Sequence, residues 1–261
     1  MSKWTIHYLV RIDFLGFRYS GWQKQPGVKT LHGMIDNTIR YVLGEQEFKT
    51  LGCSRTDAKV SAEDFAFELF LTEPIDPEMF LRGFIINLPP DIRAHSIEPV
   101  SSDFNIIQDA KIKEYHYHFT YGGKPSPFLA SEMAVFPEEL NPGWMLDAAK
   151  LFTGTHNFRR YVNKPSGDIQ FEREILSSSF EVLTDNNSRL DNLPHCVFKV
   201  SGNGFMRYQV RLMAGTIVAV GRGEWTLEQV QASLLPDIEE SLPWVAPASG
   251  LRLHKINFSI D

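Results

Sequence analysis

Cysteine is nearly absent from this 261-residue chain, with only Cys53 and Cys196 present. Two thiols so far apart give neither a disulfide framework nor metal-ligand spacing, and a reducing cytoplasm is the expected setting. Long apolar runs are also missing. None approaches the roughly 18 residues needed to cross a bilayer, so no membrane partner is expected. The opening MSKWTIHYLVRIDF has no sustained apolar core and no small-residue cleavage site. It alternates as a strand does, and no signal peptide is expected. The eight histidines form no metal spacing, and the glycines of GNG (202–204) and GRG (221–223) make no phosphate-binding loop. No metal site is therefore expected. An overall excess of positive charge is lacking too, since the net charge is −6, which weighs against nucleic acid unless the charge is unevenly spread.

The charge is indeed uneven. Residues 1–60 carry a net +4, 61–141 a net −9, 142–223 a net +3 and 224–261 a net −4. Two basic segments alternate with two acidic ones. They either face one another across a positive cleft or scatter over the surface. Hydrophobic residues make up 43% and charged residues 22%, a globular balance that is neither disordered nor membranous. The length suits one large domain or two medium ones.

Periodicity gives an ordered set of elements. Residues 4–14 alternate apolar and polar and read as a strand. A turn-rich loop with Gly16, Gly21, Pro26 and Gly27 follows. Leu31, Ile35, Ile39 and Val42 make a helical stripe over 31–44, with Thr30 as N-cap and Gly44 after the last turn. Strands are predicted at 47–53 and 66–71. Asp76 and Pro77 open a helix over 76–89, and strands follow at 92–100 and 113–121. Asn141 and Pro142 open another helix, closed by Gly154, before a polar loop at 155–170. Strands at 173–183 and 195–202 precede a helix over 205–223. A shorter helix at 226–235 has Thr226 and Gln229 at capping-box spacing, and a strand closes the set at 250–258. Mixed strands and helices in two similar halves predict an α+β protein of two related lobes, divided as 1–108 and 109–261.

Four stretches carry candidate chemistry. In GCSRTDAKVSA (52–62), Asp57 is either a turn residue capping a backbone N–H or a poised carboxylate that Arg55 helps to keep ionised, able to act as nucleophile or base. In KEYHYHF (113–119), Tyr115, Tyr117 and Phe119 share one face and His116 and His118 the other. The tyrosines are either core or a platform for a base. In FMRYQVRLMAG (205–215), Arg207 and Arg211 are spaced i, i+4, which on a helix gives one face. It is either a solvated edge or the wall of a cleft. GFRYSGWQKQPG (16–27) interleaves Arg18 and Lys24 with Phe17, Tyr19 and Trp22, which suits nucleic acid and equally suits a loop packing its aromatics.

Taken together, these stretches resemble the TruA family of tRNA pseudouridine synthases. SRTDAKVSA is similar to that family's active-site loop, G-R-T-D-A-G-V-H-A. Six further segments occur in the family's order: FRYSGWQKQPGVKTLHGMID, NLPPDIRAHSIEPV, KEYHYHF, FTGTHNFRRY, GFMRYQVRLMAGTIVAVGRG and APASGLRL. The resemblance implies a pseudouridine synthase fold, an α+β architecture of two ferredoxin-like lobes whose antiparallel sheets join around a central cleft. It implies a cofactor-free and metal-free homodimer that converts uridine to pseudouridine in the anticodon stem-loop of tRNA, at positions 38 to 40. By the same resemblance Asp57 matches the catalytic aspartate, Arg55 an arginine that helps flip the nucleotide, Tyr115 the tyrosine that stacks on the flipped base, and Arg211 an arginine that pairs with the aspartate. A synthase acting on another RNA, and an RNA-binding protein of this fold without turnover, are the competing readings. The chain departs from the pattern at Lys59 and Ser61, where the family has glycine and histidine, and at NIIQ (105–108), where a basic residue is absent.

Overall fold

The computed structural model describes residues 3–163, 170–183, 188–236, 242 and 244–258. Along the chain its elements are β1 (Ile6–Phe14), α1 (Leu31–Leu43), β2 (Phe48–Gly52), β3 (Ser61–Leu71), α2 (Pro77–Asn87), β4 (Ile92–Val100), β5 (Ala110–Tyr121), β6 (Ala134–Phe136), α3 (Pro142–Lys150), β7 (Gly154–Asn157), β8 (Glu172–Leu183), β9 (His195–Gly202), α4 (Gln209–Gly221), α5 (Leu227–Ser233) and β10 (Leu251–Phe258). The architecture is α+β. Among the described residues no helix is long and apolar enough to cross a membrane.

Two compact units divide the chain: Met1–Lys111 with Leu253–Asp261, and Ile112–Arg252. The first has the order β1-α1-β2-β3-α2-β4, and its strands lie β4-β1-β3 with β2 on the far edge of β3. This is the ferredoxin-like plan. β1 runs antiparallel to both β3 and β4, and Tyr8 faces Leu69 on one side and Pro99 on the other. β2 takes only Phe67–Leu71 of β3. The other half of that edge belongs to β10, where the Asp64 carboxylate accepts from the Ile256 amide at 3.1 Å. The closing strand, expected in the second lobe, is thus part of the first unit, because β3 offers it an open edge.

Local signals set the helices. Thr30 accepts from the Gly33 amide, α1 buries Leu31, Ile35 and Ile39, and Gly44 ends it at φ +63. Asp76 accepts from the amides of Glu78 and Met79 at 3.0 and 3.1 Å, with Pro77 in the first turn of α2. Asp76→Ala should therefore cost about 1 kcal/mol and lower the thermal midpoint by a few degrees in a melting curve. α2 meets the sheet through Phe84, whose ring lies 6.2 Å from Phe67, on the face that also carries Val10, Ile12 and Phe65, all fully buried.

In the second unit the sheet runs β5-β9-β8-β7, and β6 pairs parallel with β5. α3 packs on β8 and α4. Tyr117, Phe119, Phe152, Phe158, Tyr161 and Phe198 are the largest fully buried side chains of its core. α4 is apolar nearly all round and almost wholly buried, as such a helix must be. The capping box at Thr226 and Gln229 starts α5 as expected.

Several boundaries differ from the sequence reading. β3 begins at Ser61, five residues early, because its polar residues are satisfied across the sheet: Asp64 by Arg11 at 2.9 Å and Glu63 by His254 at 2.6 Å. α3 stops at Lys150, and Gly154, at φ +110, begins β7 instead of closing the helix. The expected loop at 155–170 holds most of β7 and a tight turn, Arg159–Tyr161, while its residues 164–169 lie outside the described set. α4 begins at Gln209, not Phe205, because Tyr208 sits in the left-handed region at φ +66 and interrupts the helix.

Candidate functional site

The loop between β2 and β3, residues 53–60, carries Arg55, Asp57 and Lys59. It is built against the earlier loop at 16–30. The Trp22 amide donates to the Thr56 carbonyl at 3.1 Å, and the Lys59 amide to the Tyr19 carbonyl at 3.1 Å. The Gly16 amide donates to the Ser61 hydroxyl at 3.0 Å. Ser61, which stands where the resembled family has histidine, thus ties the end of the loop to the start of its support.

That support leaves little room. A β-carbon added at Gly21, itself at φ +87, would lie 2.5 Å from the Thr56 carbonyl oxygen. Trp22 is 2% exposed, packs 4.3 Å from Phe65 and stacks 5.2 Å from His32. Tyr19 is equally buried and donates its hydroxyl to Asp91, which also binds Arg18. Burial and the Asp91 carboxylate together push the Tyr19 hydroxyl well above its usual range, so it stays a donor. Lys24 is committed to Asp36. Of the two readings of this segment, packing accounts for Tyr19 and Trp22: they hold the Asp57 loop from beneath.

Within the loop the exposure alternates. Arg55 is exposed, Thr56 buried and Asp57 half-buried. Among the described residues no ion pair joins Arg55 to Asp57. The Val60 amide donates to the Asp57 carbonyl at 3.2 Å and closes a four-residue turn. Lys59, at the third position of that turn, has φ +69. Glycine favours this conformation, and any other residue incurs roughly 1 kcal/mol or more. The Lys59 ammonium rests 5.5 Å from the ring centre of Phe17, which is 37% exposed. A solvent-exposed contact of this kind contributes about 0.5–1 kcal/mol, so at most it offsets the strain.

In the second unit Tyr115 lies on β5, 8% exposed, with its ring edge-on to Phe205 at 5.2 Å. Tyr117, two residues on, is fully buried and donates its hydroxyl to the Pro247 carbonyl at 3.0 Å. Arg211 lies on α4. Its Nε donates to the Ala246 carbonyl at 2.8 Å, and the Ala246 amide donates back to the Arg211 carbonyl at 3.2 Å. The APASGL segment therefore fixes the arginine's stem and orientation. Arg207 and Arg211 do not share a helix face as their spacing suggested, since Arg207 precedes the break at Tyr208. Both guanidinium groups instead lie over the Tyr208 ring, at 5.1 and 4.9 Å.

The four residues singled out in the sequence thus fall in two pairs. Arg55 and Asp57 share one loop of the first unit, and Tyr115 and Arg211 lie on β5 and α4 of the second. The sequence reading had not assigned the supporting roles of Gly21, Trp22 and Ala246. The signals that the sequence did carry were a turn-rich loop at Gly21, the packing reading of Trp22, and the place of SGWQ and APASGL among the segments of the resemblance.

The sequence profile of a family described as tRNA pseudouridine synthase matches residues 148–259. A protein named tRNA pseudouridine synthase A from Aquifex aeolicus (strain VF5) is 30% identical over 250 residues, covering 96% of this chain and 98% of its own length. Its namesake from Pseudothermotoga lettingae is 30% identical over 253 residues, covering 96% and 99%. That from Hydrogenobaculum sp. (strain Y04AAS1) is 29% identical over 257 residues, covering 97% and 99%. Among solved structures, a chain of a Cbf5-Nop10-Gar1 complex covers 80% of this chain and 46% of its own, at 16% identity and a TM-score of 0.32.

Proposed function

Because the chain belongs to the tRNA pseudouridine synthase family, we propose that it isomerises uridine in the anticodon stem-loop of tRNA, at positions 38 to 40, with Asp57 as the essential carboxylate. The family and the reaction class rest on relatives matched over nearly their whole length. The tRNA positions and the residue roles are our reading, and its main support is the construction of the Asp57 loop. An aspartate is presented there half-buried on a backbone clamped from below by Trp22 and Tyr19.

The reaction needs no external reagent. The C1′–N1 bond of the target nucleotide breaks, the uracil turns, and C5 bonds to C1′. C5 loses its proton and N1 gains one, so product and substrate are isomers. A uridine stacked in a stem is out of reach and must be flipped out first. Arg55, exposed beside the carboxylate, occupies or braces the space the nucleotide leaves. Tyr115 presents a ring on which the extruded base stacks. The Asp57 carboxylate meets the junction of sugar and base. Adding to C1′, adding to C6 and taking a ribose proton all require it ionised, and Arg211 is the cation that keeps it so. The Ala246 carbonyl holds Arg211 in place through Nε. We assign the working form as a homodimer.

Incubation with an unmodified tRNA transcript, followed by carbodiimide labelling and primer-extension mapping, should place pseudouridine at positions 38 to 40. Conversion only elsewhere in the tRNA would remove the positional assignment. Tight binding with no conversion would favour an RNA-binding protein without turnover. Binding should also weaken steeply as salt rises from about 50 to 200 mM, because lysines and arginines displace counterions from phosphates. A flat response would show that these basic residues do not meet the RNA backbone.

A further inference from the structure

We infer that Lys59 is a phosphate-contacting, substrate-positioning residue, which binds the RNA backbone beside the nucleotide presented to Asp57. The inference rests on the tRNA reading above and adds a residue to it.

Nothing in the fold requires a lysine at this position. The backbone bond from Lys59 to the Tyr19 carbonyl uses the amide, which any residue but proline supplies. The left-handed backbone at φ +69 favours glycine, and the contact with the Phe17 ring at most cancels that disadvantage. Among the described residues the side chain's contact is that one with the Phe17 ring. Lys3, Lys24 and Lys111 of the same unit pair with Glu47, Asp36 and Asp109. Among the described residues no carboxylate pairs with the exposed ammonium of Lys59. Backbone strain retained at an exposed loop position marks that position as a candidate for function. The anion that an RNA substrate brings to this turn is a phosphate. The turn also fixes where that phosphate lies, since the bond from Val60 to the Asp57 carbonyl ties Lys59 to the backbone of the reacting aspartate. A cation here both holds the RNA and sets its register against the carboxylate.

Four proteins test this: the wild type, Lys59→Gly, Lys59→Asn and Lys59→Arg, each assayed on an unmodified tRNA transcript. Glycine and asparagine both tolerate the left-handed backbone, so both variants remove the charge and relieve the strain. Each should raise the thermal midpoint, raise KM about three- to ten-fold with kcat within about two-fold, and make the slope of log affinity against log salt shallower by about one. Lys59→Arg should keep the wild-type KM and slope. An unchanged salt slope in Lys59→Gly and Lys59→Asn, or a lowered midpoint in both, overturns the inference, because the side chain would then serve the fold. The slope is read from binding alone. A wild type that makes no pseudouridine therefore overturns the synthase reading, while a slope shallower by one in the two neutral variants still supports the contact.

Discussion

Asp57→Asn should lower pseudouridine formation by about 10⁴-fold or more and leave tRNA affinity within a few-fold. Asparagine has nearly the same shape as aspartate, and the hydrogen bond that closes the turn uses the backbone carbonyl of residue 57, not its side chain. The turn, the exposed Arg55 and Lys59, and the clamp on Thr56 all survive the substitution. What disappears is the negative charge and the ability to attack or to accept a proton. Single-turnover assays with enzyme in excess separate the two effects: the bound fraction should match wild type while no product forms. Activity within ten-fold of wild type would mean that another group performs the chemistry. A loss of binding equal to the loss of turnover would mean that the substitution had disturbed the loop.

Gly21→Ala should reduce kcat by about 10- to 100-fold without any change to a residue that meets substrate. Two costs coincide at this position. The backbone is at φ +87, and the new methyl group would stand 2.5 Å from the Thr56 carbonyl oxygen. The neighbour is backbone and cannot rotate away, so the loop itself must move. The Trp22–Thr56 hydrogen bond, one residue from Asp57, lengthens or breaks. Displacements of about 1 Å in a catalytic group cost on the order of 10²-fold in rate. Strain of about 1–3 kcal/mol should also lower the thermal midpoint by several degrees. Gly27 gives the control. It too has a positive φ, +74, but a β-carbon there meets nothing within 4 Å. Gly27→Ala should share the loss of stability and keep kcat within about two-fold. Equal kcat in the two variants would show that the glycine at 21 serves backbone conformation alone.

The sequence was informative where structure is specified locally. Thr30, Asp76 with Pro77, and Thr226 with Gln229 mark helix starts by satisfying terminal amides, Gly44 marks an end by donating its amide to the Arg40 carbonyl, and each occurs where expected. It was silent where partners are distant. Glu63 and Asp64 look like loop residues until Arg11, His254 and the Ile256 amide are seen beside them. β6 is three residues long and pairs in parallel with β5, so no turn announces it. The spacing of Arg207 and Arg211 implied a shared face only if the helix ran through Tyr208, and a positive φ in a tyrosine has no sequence signal. Asp57 illustrates the same division. Its loop and its charged neighbours could be read directly, and the resemblance supplied a role. Its mechanical support could not be read, because it depends on a glycine and a tryptophan more than thirty residues earlier meeting the Thr56 backbone.

The return of β10 to the first unit bears on how the chain is made. Residues 112–252 are in effect an insertion into a domain that began at the N-terminus. At translation speeds of about 5–20 residues per second, β3 emerges from the ribosome on the order of ten seconds before its last partner does. During that interval its open edge is a template on which other nascent chains can pair. Glu63 and Asp64 stand on the half of the strand that waits. Before His254 and the Ile256 amide arrive, these two charges protect the edge, and afterwards the same carboxylates fasten the strand that covers it.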